Sequence, residues 1–384
     1  MYKSALTIIF FVAFNLAASA NDEDVYKGLS NFTRVLDLVE RNYVDDVDAG
    51  ELTESAIEGM LRDLDPYSAY LNPERYKELE IGTSGEFGGV GMEVTVDENG
   101  VLTVISPIED TPSSRAGIKP KDQIIAIEGQ STKGMVVQEA VKLLRGPRGS
   151  SVKITIHRPG NDIPIQVTLV RDKIVVKSVK PELMDGGIGY VRLTQFQENS
   201  ARDLNAALKE IEAQNGGELT GIILDLRNNP GGLLSEAIEI VDEFVDKGLI
   251  VSVKGRVQAH NRDHYATKDG QFEDEQLIVL VNDGSASASE VVAEALQDGE
   301  RALILGTGTF GKGSVQTIIR LEDGAGLKLT TAKFYAPSGR SINEVGVTPD
   351  IIVEIGKDKD KDNQLDNAVN ILKTSDVKSA IPKG

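Results

Sequence analysis

The sequence predicts a multidomain α+β protein. It has a helical N-terminal segment, a small module of short strands with one to two helices, and an α/β core around a mostly parallel sheet. Three observations predict this. Apolar residues recur at helical spacing early in the chain. Short alternating strands separated by Gly-rich turns fill residues 83–172. Near-continuous apolar runs then alternate with amphipathic stretches over residues 186–345. With 384 residues, 40% of them hydrophobic, the chain is long enough for two or three cored domains.

Residues 1–20, MYKSALTIIFFVAFNLAASA, carry one Lys, an apolar run over 5–17 and an Ala18-Ser19-Ala20 cleavage signal before a polar run. This is the layout of a signal peptide and is short for a membrane span; a retained anchor is the alternative. It implies export to a bacterial periplasm or exterior, with no stable membrane span after cleavage. Residues 25–82 follow as a helical segment. Phe32, Val35, Leu36, Val39 and Tyr43 fall on one helical face, and a second stretch from Leu52 to Leu64 runs up to the Asp65-Pro66 break. No chemistry shows here, and the segment suits docking or dimerisation.

Residues 83–172 read as strands (SGEFGGVGMEVTV, VLTVISPI, DQIIAIEG, SVKITIHR) around one amphipathic helix, MVVQEAVKLLRG, ended by Gly146-Pro147. The loop Gly89-Val90-Gly91-Met92 offers backbone N–H groups in a tight turn. A chain's terminal carboxylate needs such donors, and the strand after the loop can accept an added strand. Residues 173–356 form the α/β region. Its strand-like runs are IGYVRLTQF, TGIILDLR, LIVLVN, RALILG and LKLTTAKFY. Residues 357–384 open with KDKDKD and read as a solvated, mobile end or an assembly element.

Composition narrows the chemistry. With no Cys, thiol catalysis, disulfides and Cys-ligated metals are excluded. Three His (His157, His260, His264) leave little for a His-based metal site or triad. The net charge of -19 argues against general nucleic-acid binding. An enzyme so composed works with Ser, Thr, Lys, Tyr or carboxylates, or with a cofactor; chemistry by Ser and Lys alone requires neither a metal nor a cofactor.

Three small-residue turns lie at strand ends of the α/β region, where active sites of such sheets collect. They are NNPGG (228–232), GSASASE (284–290) and GTGTFGKG (306–313). The third resembles the opening of a phosphate-binding loop, but Gly313 replaces Ser or Thr and SVQTIIRL then alternates like a strand, and both features speak against a phosphate cradle. In the second, Ser287 or Ser289 serves equally as a helix N-cap or as a hydroxyl presented at the sheet edge. A nucleophilic Ser needs a base. Lys312, with Phe310 and Val315 as an apolar wall, suits that role if burial keeps it neutral; a solvated loop lysine is the alternative.

Two resemblances bear on these alternatives. Residues 83–172 resemble a PDZ domain, most specifically in AGIKPKDQIIAIEG. The stretch NDGSASASEVVAEALQDGERALILGTGTFGKGSVQT and the motif LDLRNNPGG resemble the C-terminal processing peptidases, tail-specific serine proteases of family S41 with a crotonase-like core. The resemblance implies a serine endopeptidase acting on proteins or peptides with accessible C-termini. It places the nucleophile on Ser287, the general base on Lys312 and the lysine-orienting group on Gln316. The oxyanion donors fall on Ala288 and on Gly231 or Gly232. Ser285 and Ser289 do not match the nucleophile's place. The resemblance also implies homo-oligomers, an activating or adaptor partner, and PDZ gating, for which Arg145 and Arg148 are candidate contacts. Two departures are Tyr67, where many relatives have His, and Thr307-Gly308, where many have a charged pair; neither removes a catalytic group. The rival readings are a catalytically silent periplasmic PDZ scaffold and a serine esterase or amidase on small substrates.

Overall fold

The computed structural model describes residues 20–377 except 162, 259, 260, 268, 269, 357, 359, 360, 375 and 376. The expected signal segment lies outside them save for Ala20, as does His260. Among the described residues no helix is long and apolar enough to cross a membrane. The chain divides into two compact units, Met1–Tyr70 and Leu71–Gly384.

The first unit holds helices Ala20–Asn42 and Ala49–Arg62. Asp48 caps the second, accepting the Glu51 N–H at 2.9 Å, which satisfies one of the unpaired donors of the first turn. The periodic face of the first helix is present, but Phe32, Val35 and Tyr43 remain exposed.

In the second unit, helix Pro73–Ser84 leads into the short-stranded module. Strands Met92–Val96, Leu102–Pro107, Gln123–Ile127, Ser151–His157 and Ile165–Val170 neighbour one another in that order, all antiparallel. The sheet and helix Val137–Leu144 close over Leu102, Val104, Ile124, Ile127, Ile154 and Ile156, each at most 1% exposed. Glu86–Gly89 pairs with Asp172–Val175 and ties the module's two ends together. Met92–Val96 stays an edge strand.

The second sheet runs Val179–Met184, Ile188–Leu193, Gly221–Asp225, Leu277–Val281, Leu303–Gly306 and Ile351–Ile352. The first pair is an antiparallel hairpin and the other pairings are parallel. Both faces are covered, which is why these strands read as unbroken apolar runs. Helices Ser200–Asn215, Leu234–Asp242 and Ala288–Asp298 pack on one face, through Leu204, Ile240 and Val292. Helix Asn363–Thr374 packs on the other, burying Ala368 and Leu372 against Ile223, Ile278 and Leu305.

Two expectations need correction. The run LKLTTAKFY is not a member of the parallel sheet. As Gly326–Tyr335 it forms an antiparallel hairpin with Ser314–Arg320 and pairs on its other side with Leu249–Gly255. Its half-buried alternation fits a sheet with one wet face. Nor are residues 363–374 a solvated end: Leu365, Ala368 and Leu372, at i, i+3 and i+7, make an apolar stripe that the uncovered sheet face buries. The charge run before this helix masks that stripe in any composition-based reading.

Candidate active site

The site is built where two turns interlock at the carboxyl end of the parallel sheet. The turn after Gly221–Asp225 is NNPGG; the turn after Leu277–Val281 is GSASAS. Side chains stitch them together. Ser285 Oγ donates to the Leu226 carbonyl at 2.8 Å, and Ser289 Oγ donates to the Asn229 carbonyl at 2.9 Å. Asn282 Oδ1 accepts the Asn228 N–H at 2.8 Å. Ser285 and Ser289 are fully buried by these bonds. Ser287 is the serine of this turn left half-exposed, lining a cleft of about 440 Å³ with Lys312 and Gln316.

Ser287 has φ 58° and ψ −113°, unusual for a residue with a Cβ. Strained backbone at a strand-to-helix turn lifts a side chain out of the turn toward solvent. Gly231 makes this possible. A Cβ there would lie 2.8 Å from the Ser287 Cβ and 2.7 Å from the Ala286 carbonyl, so only glycine lets the two turns approach.

The backbone donors around Ser287 are unequal. The Gly231 N–H is spent on Asn229 Oδ1 at 2.9 Å. Those of Gly232 and Ala288 have no acceptor among the described residues. Gly231 therefore serves close approach, while Gly232 and Ala288, which line the cleft, keep their donors unspent among the described residues.

Sequence reasoning missed Glu290. This carboxylate, fully buried in the first turn of helix Ala288–Asp298, accepts four donors. They are the N–H groups of Ser287 (2.8 Å), Gly311 (2.6 Å) and Lys312 (2.8 Å) and the hydroxyl of Thr309 (2.6 Å). One side chain thus fixes the serine turn to the lysine loop. The Ser-x-x-Glu spacing of a capping box was the available signal.

Lys312 is pushed below the ordinary lysine range. Burial is the main cause and the nearby Lys328 ammonium adds to it, while Glu290 acts in the opposite sense. Val315 forms part of the cleft wall, but Phe310 is 60% exposed, so Leu79, Leu234 and Phe334 supply the apolar lining instead. Gln316 Nε2 donates to Ser314 Oγ at 2.9 Å and reaches Thr330 Oγ1 at 3.4 Å. Neither His157 nor His264 lines the cleft, and the described residues hold no cluster of three or more metal-ligating side chains. The arrangement can carry nucleophilic chemistry with a depressed lysine as base.

In the short-stranded module, the Val90 carbonyl accepts the Ser113 N–H (2.9 Å) and hydroxyl (2.7 Å), and Thr111 Oγ1 donates to the Gly91 carbonyl at 2.8 Å. The carbonyls are turned inward. The N–H groups of Val90 and Gly91 keep no acceptor among the described residues, beside the open edge Met92–Val96. Arg145, at the end of the module's helix, donates from Nη1 to both Glu78 carboxylate oxygens at 2.9 Å and lies 4.4 Å over the Phe87 ring. Glu78 also lines the Ser287 cleft. Arg148 Nε donates to Asp172 Oδ1 at 3.0 Å.

Three family models match the chain: peptidase family S41 over residues 187–353, a PDZ domain over 78–157, and the activating protease CtpB N-terminal domain over 13–75. The chain is 48% identical to a carboxy-terminal-processing protease of Bartonella bacilliformis, over 90% of this chain and 82% of that one. The chain belongs to peptidase family S41. A carboxyl-terminal-processing protease of Synechocystis is 39% identical over 79% of this chain and 71% of its own length. A solved structure of a putative S41 protease from Bacteroides fragilis matches with a TM-score of 0.51 at 15% identity, over 88% of this chain and 96% of that one, a likeness of fold. The activity of this S41 member is that of a serine-type peptidase, and its PDZ domain is a peptide-binding module.

Proposed function

We propose that this protein is an exported, periplasmic endopeptidase that engages substrate C-termini through its PDZ domain and cleaves with a Ser287–Lys312 dyad. The carrying observation is the division of labour in the GSASAS turn. Ser285 and Ser289 are consumed by structural hydrogen bonds, while Ser287 faces the cleft with Lys312.

Neutral Lys312 Nζ takes the Ser287 hydroxyl proton as Oγ attacks the peptide carbonyl. The N–H groups of Gly232 and Ala288 receive the oxyanion. Lys312 gives its proton to the leaving amine, the C–N bond breaks, and water, deprotonated by the same lysine, releases the acyl group. Gln316, anchored on Ser314, orients the lysine. The Val90 and Gly91 N–H groups bind a terminal carboxylate, and the Met92–Val96 edge takes the peptide as an added strand. The Arg145–Glu78 pair joins the PDZ helix to the cleft wall, a route by which peptide binding opens the site. The exposed apolar face of Ala20–Asn42 suits a second copy or an adaptor.

Cleavage of a peptide with a free apolar C-terminus tests this. Ser287→Ala and Lys312→Ala should each lose about 10³-fold or more in kcat. Undiminished cleavage by Ser287→Ala would overturn the assignment. A wild type that binds tailed peptides yet cleaves none would favour a silent scaffold. Equal turnover of a small ester and a tailed peptide would favour an esterase.

A further inference from the structure

The hairpin Ser314–Arg320/Gly326–Tyr335 forms the floor of the cleft. Its register sets Gln316 opposite Thr330 and Ile318 opposite Lys328. Side chains alternate along strands, so these four residues share one face, and Gln316, Ile318 and Lys328 all line the cleft with Ser287 and Lys312. Thr317 and Thr331, one residue out of phase, join their hydroxyls on the opposite face. Lys328 is thus a half-buried ammonium lining the small cleft that also holds Lys312.

The charged groups around Lys312 come from three elements. Helix Pro73–Ser84 contributes Glu78, whose two carboxylate oxygens are held by Arg145. Helix Ala288–Asp298 contributes Glu290, whose oxygens are filled by four donors. The hairpin contributes Lys328, which makes no ion pair among the described residues. Of the three, Lys328 alone opposes a charge on Lys312, and among the described residues no ion pair mutes it.

We infer that Lys328 is a positioning residue for the proposed base: its ammonium, on the cleft face of the hairpin, disfavours a second positive charge and keeps Lys312 ready to accept the serine proton. Two lysines sharing a desolvated site is a known way to activate one of them. The direction of the Lys312 shift, lowered by burial and then by Lys328, agrees. The inference rests on the Ser287–Lys312 reading.

The test compares wild type, Lys328→Met and Lys328→Arg in two measurements. In the first, kcat/KM for a tailed peptide is followed against pH. Lys328→Met should lose several-fold at neutral pH and recover toward wild type at alkaline pH, its acid limb moved upward. Lys328→Arg, which keeps the charge, should track wild type. In the second, pH-dependent acetylation of Lys312 is read by mass spectrometry on Ser287→Ala protein. Its midpoint should rise in Lys328→Met and hold in Lys328→Arg. An unmoved midpoint, or an arginine variant behaving like the methionine one, overturns the inference. A loss uniform across pH assigns Lys328 a structural role and also overturns it. Because acetylation is read without turnover, failure of the dyad itself appears separately, as full activity in Lys312→Ala.

Discussion

Two corners at the carboxyl end of the same parallel sheet bury carboxylates in opposite ways. At the Asp225 corner the charge is met by a charge. Arg227 donates to both Asp225 oxygens (3.0 and 2.6 Å) and to both Asp362 oxygens (2.8 Å each), while the Tyr190 hydroxyl donates to Asp225 at 2.8 Å. At the Glu290 corner the charge is met only by neutral donors, three backbone N–H groups and a hydroxyl. The difference teaches what each corner is for. A guanidinium pairs and neutralises, locking strand Gly221–Asp225 to the segment before the C-terminal helix. Three backbone N–H groups and a hydroxyl hold Glu290 in place without a guanidinium of its own. Lys312 is left to burial and Lys328, which favour its neutral form against the pull of Glu290.

The paired corner also shows in its titration. Arg227 is held above the usual arginine range: its own burial works against this, but Asp225 and Asp362 outweigh it. Asp362 is pulled below the carboxylate range, chiefly by the hydrogen bond from Arg227. The Tyr190 hydroxyl is raised, first by burial and then by Asp225.

Breaking the paired corner should cost the most stability. Arg227→Met leaves Asp225 buried without its cation, and about 3–5 kcal/mol of folding stability should be lost, seen as an earlier midpoint in urea. A loss below about 1 kcal/mol would mean that solvent already screens this pair. The neutral-donor corner should cost less. Glu290→Gln preserves shape but turns an NH₂ toward N–H groups, leaving donors facing donors, for about 1–3 kcal/mol. Its signature is the ratio: kcat should fall far more than the folded fraction, because the serine turn and the lysine loop lose their shared clamp. If activity merely follows folded protein, Glu290 is structural.

The smallest effect should have the opposite sign. A lysine lowered in the native state binds a proton less readily there than when unfolded, so it weakens the fold at neutral pH. That penalty fades as pH rises through the native value toward the unfolded one near 10.5. Lys312→Met should therefore abolish cleavage yet melt at or slightly above the wild-type temperature at pH 7. The gain should vanish near pH 10.5. A clear drop in melting temperature at pH 7 would mean that Lys312 is held charged, and the contrast between the corners would collapse.

Much of the candidate site was legible because the groups involved are local. Small residues at two strand ends, a Ser before a helix and a Lys between glycines mark turns wherever they occur. By local pattern Ser285, Ser287 and Ser289 are alike, and the resemblance alone singles out Ser287; in the fold the Leu226 and Asn229 carbonyls, some 60 residues earlier in the chain, accept from the first and last. Likewise Gly231 and Gly232 differ only once Asn229 folds back onto one of them. Phe310 looked like a wall and points to solvent, while Phe334, from a strand assigned to the wrong sheet, does that work.

The sequence by itself determined the local elements: the helical periodicity, the alternating strands, the fully apolar runs of a sheet covered on both faces, and the turns that end them. These follow from backbone sterics and from side chains within a few residues of each other. Tertiary structure alone decided which hydroxyl and which N–H remain available, and how deeply the lysine is buried. Availability is what is left after distant groups have paired, and a buried donor or acceptor takes whichever partner the fold brings within about 3 Å.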